Sequence, residues 1–213
     1  LLSQKKSDLF FKRIFDLVLA ILLLLVLFPL IVVIGAAIKT DSDGPVFFRQ
    51  VRVTRYGKPF RIFKFRTMVN HAEKFGTQIT ARNDSRITKV GAVLRKYRLD
   101  EIPQLFNVII GDMSFVGTRP EVVKYVEHYT EEMMATLLMP AGITSEASIR
   151  FKDEELLLKA SDDPEGTYLA RVLPMKMKYN LEGIEKFSFW SDLKIMISTF
   201  LVIFIKRRIY ETP

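Results

Sequence analysis

The stretch Leu17-Val18-Leu19-Ala20-Ile21-Leu22-Leu23-Leu24-Leu25-Val26-Leu27-Phe28-Pro29-Leu30-Ile31-Val32-Val33-Ile34-Gly35-Ala36-Ala37-Ile38 decides how the rest of the chain must be arranged, because it contains no charged residue. Roughly 20 apolar residues are what a helix needs to cross the hydrocarbon core of a bilayer. A secretory signal has a shorter apolar run followed by a small-residue cleavage site, and no convincing site of that kind follows here. The segment therefore reads as a membrane helix over residues 9–39. Pro29 lies inside it, where it removes a backbone hydrogen bond and bends the helix. Both flanks are basic: Lys5, Lys6, Lys12 and Arg13 before, Lys39, Arg49 and Arg52 after. A spanning helix carries its basic residues mostly on one side. Symmetric flanks fit a bent helix that dips in and returns to the same face; a tilted, Pro-kinked span is the other arrangement the residues allow.

Beyond the helix, residues 40–213 are long enough for one domain. Gly44-Pro45 is a turn signal. Val46 to Phe48 and Phe60 to Phe65 read as strands of a hairpin around Arg55-Tyr56-Gly57-Lys58-Pro59, the second alternating apolar and basic residues. Helical spacing follows over Val69–Lys74, Ile87–Tyr97, Ile102–Ile110, Glu121–Leu138, Phe151–Lys159, Tyr168–Asn180 and Asp192–Arg208, with loops at Gly76–Ser85 and Asp162–Gly166. The last helix has an apolar stripe and a basic end, which suits either a membrane surface or ordinary core packing. The fold class expected is α+β: mostly helical, with a small antiparallel hairpin, an N-terminal membrane helix and amphipathic interfacial helices.

Composition narrows the chemistry. The formal net charge of +8 points to an anionic partner, and beside the apolar run that means a membrane surface or a phosphorylated substrate. With no cysteine, disulfides and thiol catalysis are excluded. The two histidines, His71 and His128, lack the spacing of a zinc site. No nucleic-acid-binding module appears.

Charge concentrates in Arg95-Lys96-Tyr97-Arg98-Leu99-Asp100-Glu101-Ile102-Pro103-Gln104-Leu105-Phe106-Asn107. Adjacent carboxylates can divide labour, one attacking phosphorus and one holding a divalent cation. Mg²⁺ binds through one or two carboxylates plus substrate phosphates, and a carboxylate can act as a covalent nucleophile. Arg95 and Arg98 are candidates to clamp phosphate oxygens. Asp100 also suits a plain helix cap, with Glu101 and Pro103 in the first turn. The two readings are compatible, because a helix N-terminus favours phosphate. A glycosidase pair fits poorly, since neighbouring residues rarely flank one sugar bond from opposite sides.

Four blocks in order resemble the bacterial sugar transferases of the monotopic phosphoglycosyl transferase superfamily. They follow the Pro-containing apolar helix: Phe63-Lys64-Phe65-Arg66-Thr67-Met68; Leu99-Asp100-Glu101-Ile102-Pro103-Gln104-Leu105-Phe106-Asn107-Val108; Gly111-Asp112-Met113-Ser114-Phe115-Val116-Gly117-Thr118-Arg119-Pro120; and Asp192-Leu193-Lys194-Ile195. The resemblance implies transfer of sugar-1-phosphate from a UDP-sugar to polyprenyl (undecaprenyl) phosphate with release of UMP, the first step of glycan assembly. It implies Asp100 as nucleophile, Glu101 beside it as a Mg²⁺ ligand, and Arg95 and Arg119 near the phosphates. Lys64, Arg66 and Asp112 stand in matching motifs and are, by the same resemblance, further candidates to bind the substrate and its phosphates. Pro29 matches the proline that bends the family's re-entrant helix, so the catalytic domain is expected on the cytoplasmic face of the bacterial inner membrane. Membrane lipids are implied as partners, and a homodimer is an open option. The alternative is a non-catalytic, membrane-anchored basic scaffold for anionic lipids. Two departures stand out. Thr118 replaces a proline, and Pro140-Ala141-Gly142-Ile143-Thr144-Ser145 lacks the family's arginine, leaving Arg150 or Lys152 to supply charge there.

Overall fold

A computed structural model of the chain describes residues 5–70, 72, 84–152, 154–159 and 161–204. The architecture is α+β, mostly helical with two small sheets. Helix α1 runs unbroken over Lys6–Asp41, Pro29 included. At 1.5 Å per residue it is about 54 Å long, well beyond a hydrocarbon core of about 30 Å. Its middle exposes Leu22, Leu25, Val26 and Phe28. A buried soluble helix would not leave these side chains bare.

Both ends of α1 are tied to the same domain. Near the start, the Lys5 ammonium donates to the carbonyl of Phe187. Lys12 Nζ meets Asp192 Oδ2 at 2.5 Å and the Val116 carbonyl at 2.9 Å. Arg13 donates to the carbonyls of Val108 and Ile109. At the far end, Ile31, Ile34 and Ile38 pack on Phe65 and Leu94, and Asp41 Oδ2 accepts from the backbone N–H of Val90.

Strands β1 (Phe47–Val53) and β2 (Pro59–Phe65) pair antiparallel as a hairpin. Its turn puts Tyr56 and Gly57 at positive φ, 60° and 73°; the glycine takes this conformation without a Cβ clash. Helix α2 (Lys89–Lys96) is capped by Thr88, whose hydroxyl accepts from Gly91 N–H. A 3₁₀ turn at Leu99–Glu101 leads into α3 (Gln104–Ile110), and Gly111 at φ 99° ends it. Strand β3 (Met113–Val116) lies parallel to β4 (Ala141–Thr144). The main core gathers Phe60, Ile62, Leu105, Val108, Met113, Phe115 and Ala20 of α1.

Two expectations are corrected, and one feature is new. Glu121–Leu138 is not one helix but α4 (Val123–Val126), α5 (Glu131–Met134) and a 3₁₀ turn at Ala135–Leu138. Glu121 is buried and its carbonyl accepts from Val53 N–H, so the segment starts as an extension of the sheet. Thr130 then caps a new helix by accepting from Met133 N–H, as threonine prefers to do over sitting mid-helix. The turn at Asp162–Gly166 closes into α8 (Pro164–Thr167), with Asp163 as its cap. The parallel β3–β4 pair has no counterpart in the sequence reading.

Helix α6 (Glu146–Arg150) ends before the expected Phe151–Lys159 helix, which begins as a turn at Phe151–Lys152 and is helical in α7 (Glu154–Lys159). A π-helical turn, Tyr168–Val172, precedes α9 (Leu173–Glu185). The last element, α10 (Phe189–Phe204), presents Trp190, Ile197, Phe200 and Leu201 to the outside. Its basic end at Lys206–Arg208 lies outside the described residues. So do half of Val69–Lys74 and most of Gly76–Ser85; the Val69 N–H donates to the Arg86 carbonyl.

Candidate active site

Arg98 has φ 57°, a left-handed backbone that costs a non-glycine residue about 1 kcal/mol. That kink turns the chain out of α2 and into the tight turn Leu99–Glu101. Pro103 then closes the route back to regular helix until Gln104. The result is two consecutive carboxylates, Asp100 and Glu101, on a short turn against the hairpin. Asp100 is not the N-cap of α3: that position belongs to Pro103. The capping reading is therefore corrected, and the turn presents Asp100 rather than spending it on the helix end.

The two carboxylates meet different surroundings. Glu101 Oε1 accepts from Lys64 Nζ at 2.9 Å and from Arg119 Nη2 at 2.7 Å. Burial pushes the Glu101 carboxyl up, but the Arg119 and Lys64 charges and the direct bond from Arg119 outweigh it, holding the group well below the ordinary glutamate value. Asp100 has no hydrogen bond among the described residues. Burial raises it above the ordinary aspartate value; Lys64, Arg98 and Arg95 oppose that, and the Glu101 charge adds to it. Two adjacent acids thus have ionisation pushed in opposite directions, the pattern of a pair with divided roles. Lys64 is lowered by burial against the pull of Glu101, while Arg119 is raised first by Glu101.

Arg119 sits on a loop held from both sides. Gly142 N–H donates to the Thr118 carbonyl at 2.9 Å, and Gly117 N–H to the Thr144 carbonyl at 3.0 Å. The backbones of Gly117 and Gly142 approach so closely that a Cβ on Gly142 would lie 2.1 Å from the Gly117 nitrogen. On the other side, Arg52 donates to the Pro120 carbonyl. Glu121 Oε1 accepts from the Tyr168 hydroxyl at 2.5 Å and lies 3.8 Å from Lys176 Nζ, which also meets Glu154 at 2.9 Å.

Of the residues singled out in the sequence, Asp100, Glu101, Lys64 and Arg119 come together, with Arg95 near enough to act on Asp100 by charge. Two do not join them. Arg66 is buried, and its guanidinium donates to the carbonyls of Ile38, Ser42 and Asp43 at the C-terminal end of α1. Those acceptors occupy the fork expected to clamp phosphate, so its role here is to cap a helix. Asp112 closes the turn after α3, where Oδ2 faces Asn107 Nδ2 at 3.4 Å and its carbonyl accepts from Thr54. The sequence reading did not single out Arg52, Glu121, Tyr168 and Lys176. Only the buried charge of Glu121 and Lys176 marks them, and burial is not visible in one sequence.

As for a metal, the described residues contain no group of three or more acidic or imidazole ligands. The donor set is two carboxylates, one with an oxygen already shared by two cations. Such a set suits Mg²⁺ that also takes substrate phosphate oxygens, rather than an ion in an all-protein cage.

The family model described as "Bacterial sugar transferase" matches residues 7–206. The chain is 37% identical over 203 residues to a UDP-glucose:undecaprenyl-phosphate glucose-1-phosphate transferase of Klebsiella pneumoniae, covering 94% of this chain and 41% of that protein. It is 35% identical over 193 residues to a UDP-N-acetylgalactosamine-undecaprenyl-phosphate N-acetylgalactosaminephosphotransferase of Aeromonas hydrophila, covering 89% and 43%. Against the uncharacterized sugar transferase EpsL of Bacillus subtilis the identity is 34% over 203 residues, covering 94% and 91%. The chain thus spans about two fifths of the first two relatives and nearly all of the third.

Proposed function

Because the chain belongs to the bacterial sugar transferase family, we propose that it moves sugar-1-phosphate from a UDP-sugar to polyprenyl phosphate through a covalent intermediate on Asp100. The observation that carries this is the unequal pair: Glu101 is locked between Lys64 and Arg119, while the Asp100 carboxylate beside it is half-buried and has no hydrogen-bond partner among the described residues.

An Asp100 oxygen attacks the phosphorus that bears the sugar. The new O–P bond replaces the bond to the bridging oxygen, and UMP leaves with the electron pair. A polyprenyl phosphate oxygen then attacks the same phosphorus, freeing the Asp100 carboxylate and giving a polyprenyl-diphosphate-sugar. Lys64 and Arg119 offset the charge gathered on the phosphoryl oxygens, and Glu101 keeps both cations in place. Mg²⁺, held by Glu101 and Asp100 with the substrate phosphates, would supply further neutralisation of the diphosphate.

The same reading places α1 as a re-entrant membrane helix. It is supported by the contacts of both helix ends with one domain, because a span of about 30 Å would carry one end away from it. The water-soluble donor and the lipid acceptor then meet at one surface, on the cytoplasmic side of the inner membrane.

The test uses detergent-extracted full chain, a panel of UDP-sugars and UMP release. With sugar-labelled donor and no acceptor, wild type retains label and Asp100→Asn retains none. Asparagine is nearly isosteric, so loss of label reflects loss of the nucleophile. Glu101→Gln is severely impaired but partly recovers as Mg²⁺ is raised, whereas Asp100→Asn does not. Label retained on Asp100→Asn would move the nucleophile elsewhere. A wild type that releases no UMP would leave the membrane-anchored scaffold as the better reading.

A further inference from the structure

Asn107 lies in the middle of α3, fully buried, and the chemistry above makes no use of it. Its side chain bonds away from its own helix. Oδ1 accepts from the backbone N–H of Phe63 at 2.8 Å, and Nδ2 donates to the carbonyl of Arg61 at 3.0 Å. Just outside β2, the Lys58 carbonyl accepts from Thr54 N–H and the Arg66 N–H donates to the Val46 carbonyl. In an antiparallel ladder alternate residues bond to the partner strand, so residues 61 and 63 face away from β1. A carboxamide carries the same donor and acceptor as a peptide group. Asn107 therefore closes the free edge of β2 as one residue of a third strand would.

The two segments it joins are the two that meet in the site. Lys64 follows Phe63 directly, and α3 begins three residues after Glu101. A lysine head group on its flexible four-carbon stem is poorly placed unless the base of the stem is fixed. The fork supplies that fixed base: with β2 held against α3, Lys64 Nζ reaches Glu101 Oε1 at 2.9 Å. We propose that Asn107 is a positioning residue for sugar-phosphate transfer, which splints β2 to α3 so that Lys64 is aligned on Glu101 beside the nucleophile. This inference rests on the reading of Asp100 given above.

The experiment is a double-mutant cycle on the full chain in detergent, following UMP release from UDP-glucose, or from whichever UDP-sugar the panel identifies. The proteins are wild type, Asn107→Ala, Lys64→Met and the double variant. The expected result is a kcat about tenfold or more lower in Asn107→Ala, since small misplacements in a site cost up to about a hundredfold, with KM for the UDP-sugar within about twofold. The double variant is then no slower than Lys64→Met alone, because residues acting through one contact are not additive. Losses that multiply in the double variant, or a wild-type kcat in Asn107→Ala, overturn the inference. Asn107→Leu, which keeps the branched shape but removes both the acceptor facing Phe63 and the donor facing Arg61, is put through the same cycle if the alanine variant does not fold. A wild type inert toward every UDP-sugar overturns the underlying functional reading, whereas an active wild type with multiplicative losses overturns this one alone.

Discussion

Replacing Arg66 with methionine should loosen the end of α1 rather than weaken substrate binding. The guanidinium donates to three carbonyls, those of Ile38, Ser42 and Asp43, at a helix C-terminus, and charge-assisted bonds of this kind contribute about 1.5–3 kcal/mol each before overlap between them. We expect a total loss of about 3 kcal/mol in thermal unfolding, with KM for the UDP-sugar unchanged. A raised KM with unchanged stability would restore Arg66 to the phosphates. The same residue shows what one sequence conceals. The motif around Lys64 and Arg66 flags two cations two residues apart. In a strand such residues would share a face, yet Lys64 is the last to reach the site and Arg66, just past β2, folds back on α1. Asp100 and Glu101 stood out as adjacent acids near Arg95 and Arg98, but a helix cap fitted them as well, and only the family resemblance pointed to their chemistry and to Arg119. Asn107 was not legible, because an amide in a helical pattern looks like any other polar residue until its bonds are seen.

Among the elements, the joint between α1, β3 and α10 invites the sharpest test. Lys12 and Asp192 are both buried and bonded. Breaking a buried pair by removing one partner costs about 3–5 kcal/mol, while replacing both with apolar groups is often neutral. Lys12→Met should therefore lower stability by about that amount, and Lys12→Met with Asp192→Leu should recover most of it. Equal losses in the single and double variants would show that the pair is not the joint. The parallel β3–β4 contact gives a second test: Gly142→Ala should cost several kcal/mol or prevent folding, because its Cβ would lie within 2.1–2.5 Å of Gly117 backbone. The hairpin was readable from its alternation and its Tyr-Gly turn. The parallel strands were not, since each is four residues long and their partnership spans an intervening stretch of helices. Local periodicity also merged Glu121–Leu138, where the buried bonds of Glu121 and the hydroxyl of Thr130 override it.

For the whole molecule, the question is on which side of the bilayer the two ends of α1 lie. Lys5 and Ser42 both contact the domain, through the Phe187 carbonyl and the Arg66 guanidinium. Cysteines introduced one at a time at these positions should both be shielded from a membrane-impermeant thiol reagent in intact cells. Labelling at position 5 alone would establish a span. Pro29→Ala, which returns a backbone donor to the middle of the helix, should shift part of the population toward that labelled state. On the re-entrant reading proposed above, a helix fastened at both ends to one body has no opposite shore to reach. Proteins that cross a membrane must fit its thickness by tilting or by deforming the lipid, and this sorts them between membranes. Here the apolar middle of α1 has only to sink to its own depth, so reconstituted activity should hardly change between bilayers of short-chain and long-chain lipids. The protein would be indifferent to a property of its surroundings that spanning proteins cannot ignore.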